Sequence, residues 1–243
     1  TGRPQPPAAD TLVVAISASG RSAETVTAMR RHVGTSMVVG VTSCPTSLIG
    51  GEAEVCLAIA ADGPSGVACA SYRSTAALLR GVCGLMLCEA PALEHAAAAS
   101  AAVMEGRETW LARAVELLAG GPIHVLAPAE RIGSAEQSAL MLREVARVPA
   151  DACETGDWSH VDVYLTKRTG YRALLLPGSA YEGVVMEWAV ERSFPVVVAG
   201  GSLPGSALDI DLPGSDDPVV RPLIETHVAE LLTAALWARD PMA

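Results

Sequence analysis

Lysine is almost missing from this chain. Lys167 is the only one among 17 basic residues, which face 27 acidic residues and leave a formal charge of −10. That sign excludes a general nucleic-acid surface, although a local basic pocket for a small anion stays open. The arginine excess reads as the base composition of a GC-rich gene more than as chemistry, although guanidinium groups do suit phosphate and carboxylate. Aromatics are scarce at 4% and charged residues make up only 18%, while half of the 243 residues are hydrophobic. Such apolar content excludes disorder and is enough for one large core or two small ones. Long hydrophobic runs are missing as well: Gly, Pro or charge interrupts every stretch well before the roughly 18 residues of a membrane span. Residues 1–10 are Pro-rich, without the apolar run of a signal peptide. These absences predict a soluble, cytoplasmic protein with no membrane and no nucleic-acid partner.

The six cysteines, at 44, 56, 69, 83, 88 and 153, form no C-x-x-C pair and no Cys/His cluster with zinc spacing. Most stand among Val, Leu and Ala, where a free thiol acts as a small buried hydrophobe in a reducing compartment. No metal and no cofactor is expected.

What is present is alternation. Residues 11–17 (TLVVAIS) read as a buried parallel strand, followed by a helix over 23–32 with Ser22 as N-cap and Glu24 in its first turn. Strands over 37–42 and 55–60 and a helix over 67–87 continue the pattern. An Ala-rich helical stretch over 93–119 ends at Gly120-Gly121-Pro122. Then strands over 123–127, 171–176, 195–199 and 207–212, the last an edge strand, alternate with helices over 134–146, 181–192 and 221–239. The fold class is therefore α/β, with two Rossmann-like or flavodoxin-like units of parallel sheet flanked by helices.

Ser17-Ala18-Ser19-Gly20-Arg21-Ser22 joins a strand end to a helix start. Hydroxyls, backbone N–H groups and the positive helix end together suit a phosphate; equally, the hydroxyls serve only to cap the helix. The segment is neither a Walker loop nor a G-x-G-x-x-G turn.

AISASGRSAET, VTSCPTSLIGGEAEVCLAI and GPSGVACAS in succession resemble the first half of a sugar isomerase (SIS) domain, the family that includes the isomerase half of glucosamine-6-phosphate synthase. The resemblance implies that Ser17, Ser19, Gly20 and Ser22 hold a sugar phosphate and that Val67 and Ala68 approach the sugar. Further on, AEQSALMLRE and the loop ETGDWSH resemble the second unit of the tandem SIS proteins. Glu144 and His160 stand sixteen residues apart, as the family's general base and ring-opening histidine do, and Gly156 falls in place. Interconverting an aldose and a ketose needs a ring-opening proton transfer, for which a near-neutral imidazole suits, and a proton shuttle between C1 and C2, for which a partly buried carboxylate suits. Arg143 beside Glu144 steadies an enediolate or is simply a solvated helix arginine.

The resemblance thus divides the chain into a first SIS unit over 11–92, without the family's usual first βα unit, a connecting helix over 93–119, a second SIS unit over 120–213, and a C-terminal helix and tail over 214–243. It implies an aldose–ketose sugar-phosphate isomerase, or a related deglycase or deaminase, that takes a phosphorylated sugar or amino sugar. The other readings are a non-catalytic phosphosugar sensor and a scaffold with a dead site. Departures from the family pattern lie at Ala127-Pro128-Ala129, Gln137, Met141, Val161-Asp162, Cys69-Ala70 and the lysine-free C-terminus. The resemblance also implies a homodimer in which His160 completes the partner's site. Apolar surface on the connecting and last helices, which carry Trp110 and Trp237, agrees with that.

Overall fold

The structure, a computed structural model, describes residues 5–60, 69–87 and 93–239. Those up to 87 form one compact unit and those from 93 form another. Each unit contains a parallel sheet with helices against it, as the alternation predicts.

In the first unit the elements are β1 (Leu12–Ile16), α1 (Ala23–Arg30), β2 (Met37–Thr42), α2 (Leu48–Glu52), β3 (Val55–Ala58) and α3 (Cys69–Met86). The three strands lie in sequence order and run parallel. Ala15, Val38, Val26, Met29 and Ile49 make the core, where α1 and α2 cover one face of the sheet. Gly40 lets α2 come close, since a Cβ there would sit 2.8 Å from Ile49 Cγ2. The other face differs from the expectation of a strand buried on both sides. Leu12, Val14 and Ile16 are 53%, 40% and 44% exposed, joined by Met37 and Val55. Period-two alternation within an all-apolar strand hides this, because both faces carry the same residue types. The thiols likewise depart from expectation: Cys44, Cys56, Cys69 and Cys153 are only half-buried, and Cys83 is exposed. Cys88 lies outside the described residues.

The second unit runs α4 (Leu93–Gly106), α5 (Leu111–Leu118), β4 (Ile123–Ala127), α6 (Ile132–Glu144), β5 (Ala150–Glu154), α7 (Thr155–His160), β6 (Ala173–Leu175), α8 (Glu182–Arg192), β7 (Val196–Ala199), β8 (Leu208–Ile210), α9 (Arg221–Ile224) and α10 (Thr226–Arg239). Its five strands are all parallel in the order β5-β4-β6-β7-β8, so β8 is an edge strand as expected. The connecting helix breaks in two. Gly106 and a 3-10 turn over Arg107–Thr109 interrupt it, with Arg107 Nη1 and Thr109 Oγ1 donating to the carbonyls of Met104 and Gly106. Trp110, at the break, is buried rather than part of an exposed apolar face; Trp237 is exposed. The last helix divides as well, at Glu225, whose carboxylate turns inward to Arg131.

One face of this sheet is covered by α5, α6 and α10, the other by α7, α8 and the 3-10 turn Asp162–Lys167. The chain moves from β4 outward to β5, then back past β4 to β6. Right-handed crossovers in opposite directions place α6 and α7 on opposite faces. Against the second face pack Trp158, Tyr171 and Phe194, one of the few places where this aromatic-poor chain spends its rings. Trp158 Nε1 donates to Tyr171 Oη at 2.7 Å, and His124 stacks on Tyr171 with centroids 4.2 Å apart.

Burial pushes the His124 imidazole below its ordinary value of 6.5, against the upward pull of Asp151 and Asp162. The unfolded chain therefore takes up this proton first as the pH falls. The stabilisation is full above 6.5 and is lost as pH falls toward the depressed folded value, at no more than about 1.4 kcal/mol per pH unit. His124→Phe keeps the stack and removes the titration. Urea midpoints at about pH 7.5 and about pH 5.5 should then differ less in the variant than in the wild type; an equal drop would place the acid sensitivity elsewhere.

Candidate functional site

In the first unit, strands β1 and β2 end in hydroxyl-rich turns that are tied together. Gly20 N donates to Ser17 O at 2.9 Å, closing the first turn with Gly20 at φ +64°. The carbonyl of Ala18 accepts from Thr42 Oγ1 at 3.0 Å, Ser43 Oγ at 2.7 Å and Ser43 N at 3.0 Å. Ile49 N donates to Gly20 O at 3.2 Å. A Cβ on Gly20 would overlap Ser47, so the close approach and the left-handed backbone both demand glycine.

Ser22 does precede α1, but its side chain makes no cap. Its Oγ pairs instead with Ser17 Oγ at 2.9 Å, which spends the hydroxyl on the turn rather than on the helix. Among the described residues the first-turn N–H groups of α1 thus gain no side-chain cap, and the exposed Ser19 accepts from Arg21 N at 3.3 Å. Ser17, Ser19, Gly20 and Ser22 are thus gathered in one turn. Thr42, Ser43 and Ser47, which brace it from the second turn, are residues that sequence reasoning left aside; the signal was the second hydroxyl-rich segment, VTSCPTS. Val67 and Ala68 lie outside the described residues.

In the second unit Glu144 is the last residue of α6 and is exposed rather than partly buried. Arg143 Nη1 donates to Ala150 O at 2.5 Å, so this end of α6 lies at the N-terminal edge of the sheet, where β5 begins. The guanidinium is used on a backbone carbonyl rather than on Glu144. His160 is exposed at the end of α7. The segment read as a loop is therefore strand β5 running into helix α7, with Glu154 as N-cap accepting from Asp157 N at 2.9 Å. Helices α6 and α7 lie on opposite faces of the sheet, and no hydrogen bond or ion pair between described residues joins Glu144 to His160. Geometry within this unit does not pair them.

No family model matches the sequence, and no curated protein sequence matches it. Solved structures do match in fold. The C-terminal domain of glucosamine-fructose-6-phosphate aminotransferase from Francisella tularensis aligns at TM-score 0.75 and 14% identity, over 93% of this chain and 70% of that one. Glucosamine-6-phosphate deaminase from Thermotoga maritima aligns at TM-score 0.76 and 14% identity, over 99% and 73%. Tagatose-6-phosphate ketose/aldose isomerase from Escherichia coli aligns at TM-score 0.76 and 15% identity, over 96% and 70%. At these identities the likeness establishes the α/β fold. No helix among the described residues is long and apolar enough to cross a membrane.

Gly20→Ala tests the tied turns. The left-handed φ and the overlap with Ser47 should destabilise the first unit by about 1–3 kcal/mol. Amide exchange at Gly20 and Ile49, whose N–H groups hold the turn, should speed up accordingly. Unchanged protection would mean that the turn rearranges at no cost.

Proposed function

We propose that the chain is a phosphosugar-binding SIS protein, whose regions 11–92 and 120–213 are the two SIS units. We place the sugar phosphate at the turn of Ser17, Ser19, Gly20 and Ser22. The observation that carries this is the braced turn ahead of an uncapped helix. Hydroxyls, a glycine held against the second turn and first-turn N–H groups converge where a strand gives way to a helix N-terminus. An anion there gains N–H donors and the positive helix end together. The likeness in fold to a deaminase and an isomerase named for hexose phosphates supports the same ligand class. The expected ligand is a phosphorylated sugar or amino sugar bound by a cytoplasmic protein.

The favoured activity is aldose–ketose isomerisation, or a related deglycase or deaminase reaction. In it Glu144 moves the proton between C1 and C2, His160 opens the ring, and Arg143 stays beside the base. Since α6 and α7 lie on opposite faces of one sheet, the reading assigns the two groups of a given site to different chains. It therefore includes a homodimer whose members exchange His160. Exposed Trp237 on α10 and exposed Met104 on α4 supply apolar surface for such a contact. The alternative is a sensor that binds without turnover, and the exposed setting of Glu144 at the end of α6 favours it.

Thermal-shift titration with hexose and amino-sugar phosphates tests the binding. A saturating rise in melting temperature is expected, reduced in Ser19→Ala without loss of fold. No shift with any of them would remove both readings. Glu144→Gln should cut isomerase turnover by roughly 100-fold or more while binding persists. Equal turnover in the two proteins would eliminate Glu144 as base. Mixing His160→Ala chains with Ser19→Ala chains should restore activity in heterodimers, and mixed dimers without recovery would refute the shared site.

A further inference from the structure

The sheet of the second unit has its own point of divergence. From β4 the chain goes outward to β5, then returns to β6 on the other side of β4. The loops that leave the C-terminal ends of β4 and β6 therefore part company, and a crevice opens between them; this is where open α/β sheets take ligands. A cavity of about 430 Å³ lies there, with Arg131, Arg221, Gly178, Ser215, Glu130 and Asp216 in its wall. We propose that this crevice binds a phosphate-type oxyanion between the guanidinium groups of Arg131 and Arg221, as a second anion site separate from the hydroxyl turn of the first unit.

Two adjacent guanidinium groups with spare donors are the main argument. Pro177 O accepts from both Arg131 Nη2 and Arg221 Nη1, so two like charges lie side by side on one carbonyl. Glu225 is the buried carboxylate that meets them, with Oε2 2.5 Å from Arg131 Nη1, and Glu182 and Asp216 act on Arg221 through space. Glu130 and Asp216 are at the wall rather than hydrogen-bonded to either arginine, and Glu182 is taken up by the backbone N–H groups of Gly178 and Ser179. Donor capacity is left over too. A guanidinium has five N–H groups. Arg131 places two on protein acceptors, and Arg221 places three, on the carbonyls of Ser215, Pro177 and Gly200. The remaining N–H groups have no partner among the described residues and belong to side chains that line the cavity.

Shape agrees with charge. Gly178 has φ +140°, and a Cβ there would intrude on Arg131 Nη2, so this wall is kept bare. Ser215 adds a hydroxyl and is shared with a neighbouring cavity of about 380 Å³ that holds Asp209 and Asp211. An oxyanion carried on a hydroxylated body fits such a lining, with its head on the arginines and its hydroxyls toward the carboxylates. Burial and the neighbouring Arg131 charge pull the Arg221 guanidinium down from its ordinary value, against the upward pull of Glu225, Glu182 and Asp216.

The test is calorimetric titration of the whole chain with inorganic phosphate and, separately, with a hexose phosphate. Wild type, Arg221→Gln and Ser19→Ala are compared. Inorganic phosphate should bind the wild type and Ser19→Ala with Kd at or below about 1 mM. In Arg221→Gln one binding event should weaken tenfold or more. If the Ser19→Ala chain alone loses phosphate binding while Arg221→Gln binds like wild type, the crevice is overturned and the turn stands. If the reverse holds, the crevice stands without the turn. A hexose phosphate that weakens more than inorganic phosphate does in Arg221→Gln would identify the hydroxylated ligand; equal weakening would leave the free anion as ligand. Should Arg221→Gln fail to fold, arginine modification of the wild type by phenylglyoxal decides. Phosphate should protect Arg221 from labelling, and unchanged labelling at saturating phosphate would refute the site.

Discussion

Arg131 and Glu225 make an ion pair whose side chains are 8% and 1% exposed, and much of the larger unit is arranged to keep it whole. Taking two charges out of water costs several kcal/mol for each, and the pair recovers that only when its remaining hydrogen-bonding capacity is well met. Burial here still holds the Glu225 carboxyl above its ordinary value, with Arg131 pulling the other way. Leaving either charge alone would cost about 3–5 kcal/mol. Several irregular features follow. Helix α6 starts only after the 3-10 turn that swings Arg131 inward. The C-terminal helix breaks at Glu225, which frees its carboxylate to meet the guanidinium. Arg131 and Arg221 then hold the carbonyls of Pro177, Gly200 and Ser215, so the loops after β6, β7 and β8 are fixed by the same charges.

Scarcity of aromatics shapes the rest of the packing. With one Phe, four Tyr and four Trp, the chain cannot fill gaps with large rings everywhere, and it brings elements close together instead. Ala96, Ala99 and Val103 are the buried residues of α4, and Gly214 lies so near that a Cβ would sit 3.1 Å from Ala99. Ser134 and Ser138 are buried along α6 where α10 packs, and Ser138 Oγ satisfies itself on Ser134 O at 2.7 Å. Small residues of this kind gain dispersion contacts by proximity, at the cost of little tolerance for added volume. Trp158, Tyr171 and Phe194 are the exception, one wedge that fills the broad gap under α7 and α8.

What could be read from the sequence follows from which interactions are local. Strands β2, β4 and β7 are short β-branched runs between turn residues, and their registers fall where the runs do. Strand β5 (ADACE) was invisible because an edge strand with one covered face need not be apolar, and helix α2 (LIGGE) because two glycines mask it. The long helices read as continuous because periodicity survives a short interruption: four residues, 107–110, part α4 from α5, and Glu225 alone parts α9 from α10. The hydroxyl turn was legible because strand end, serines and helix start are consecutive. The arginine crevice was not, because Arg131 meets Glu225 across 94 positions and no local spacing records it.

In each unit, position along the strands separates one chemistry from another. The hydroxyl turn follows β1 and the arginine crevice follows β4 and β6, so both stand at C-terminal strand ends, where loops and helix starts offer N–H donors. Glu144 stands at the opposite edge, where helices end and carbonyls face out. An exposed carboxylate there stands at the negative end of its own helix, which is not a setting for anion binding. For Glu144 to act as a base it has to be covered by something that excludes water, and nothing within its own unit does this.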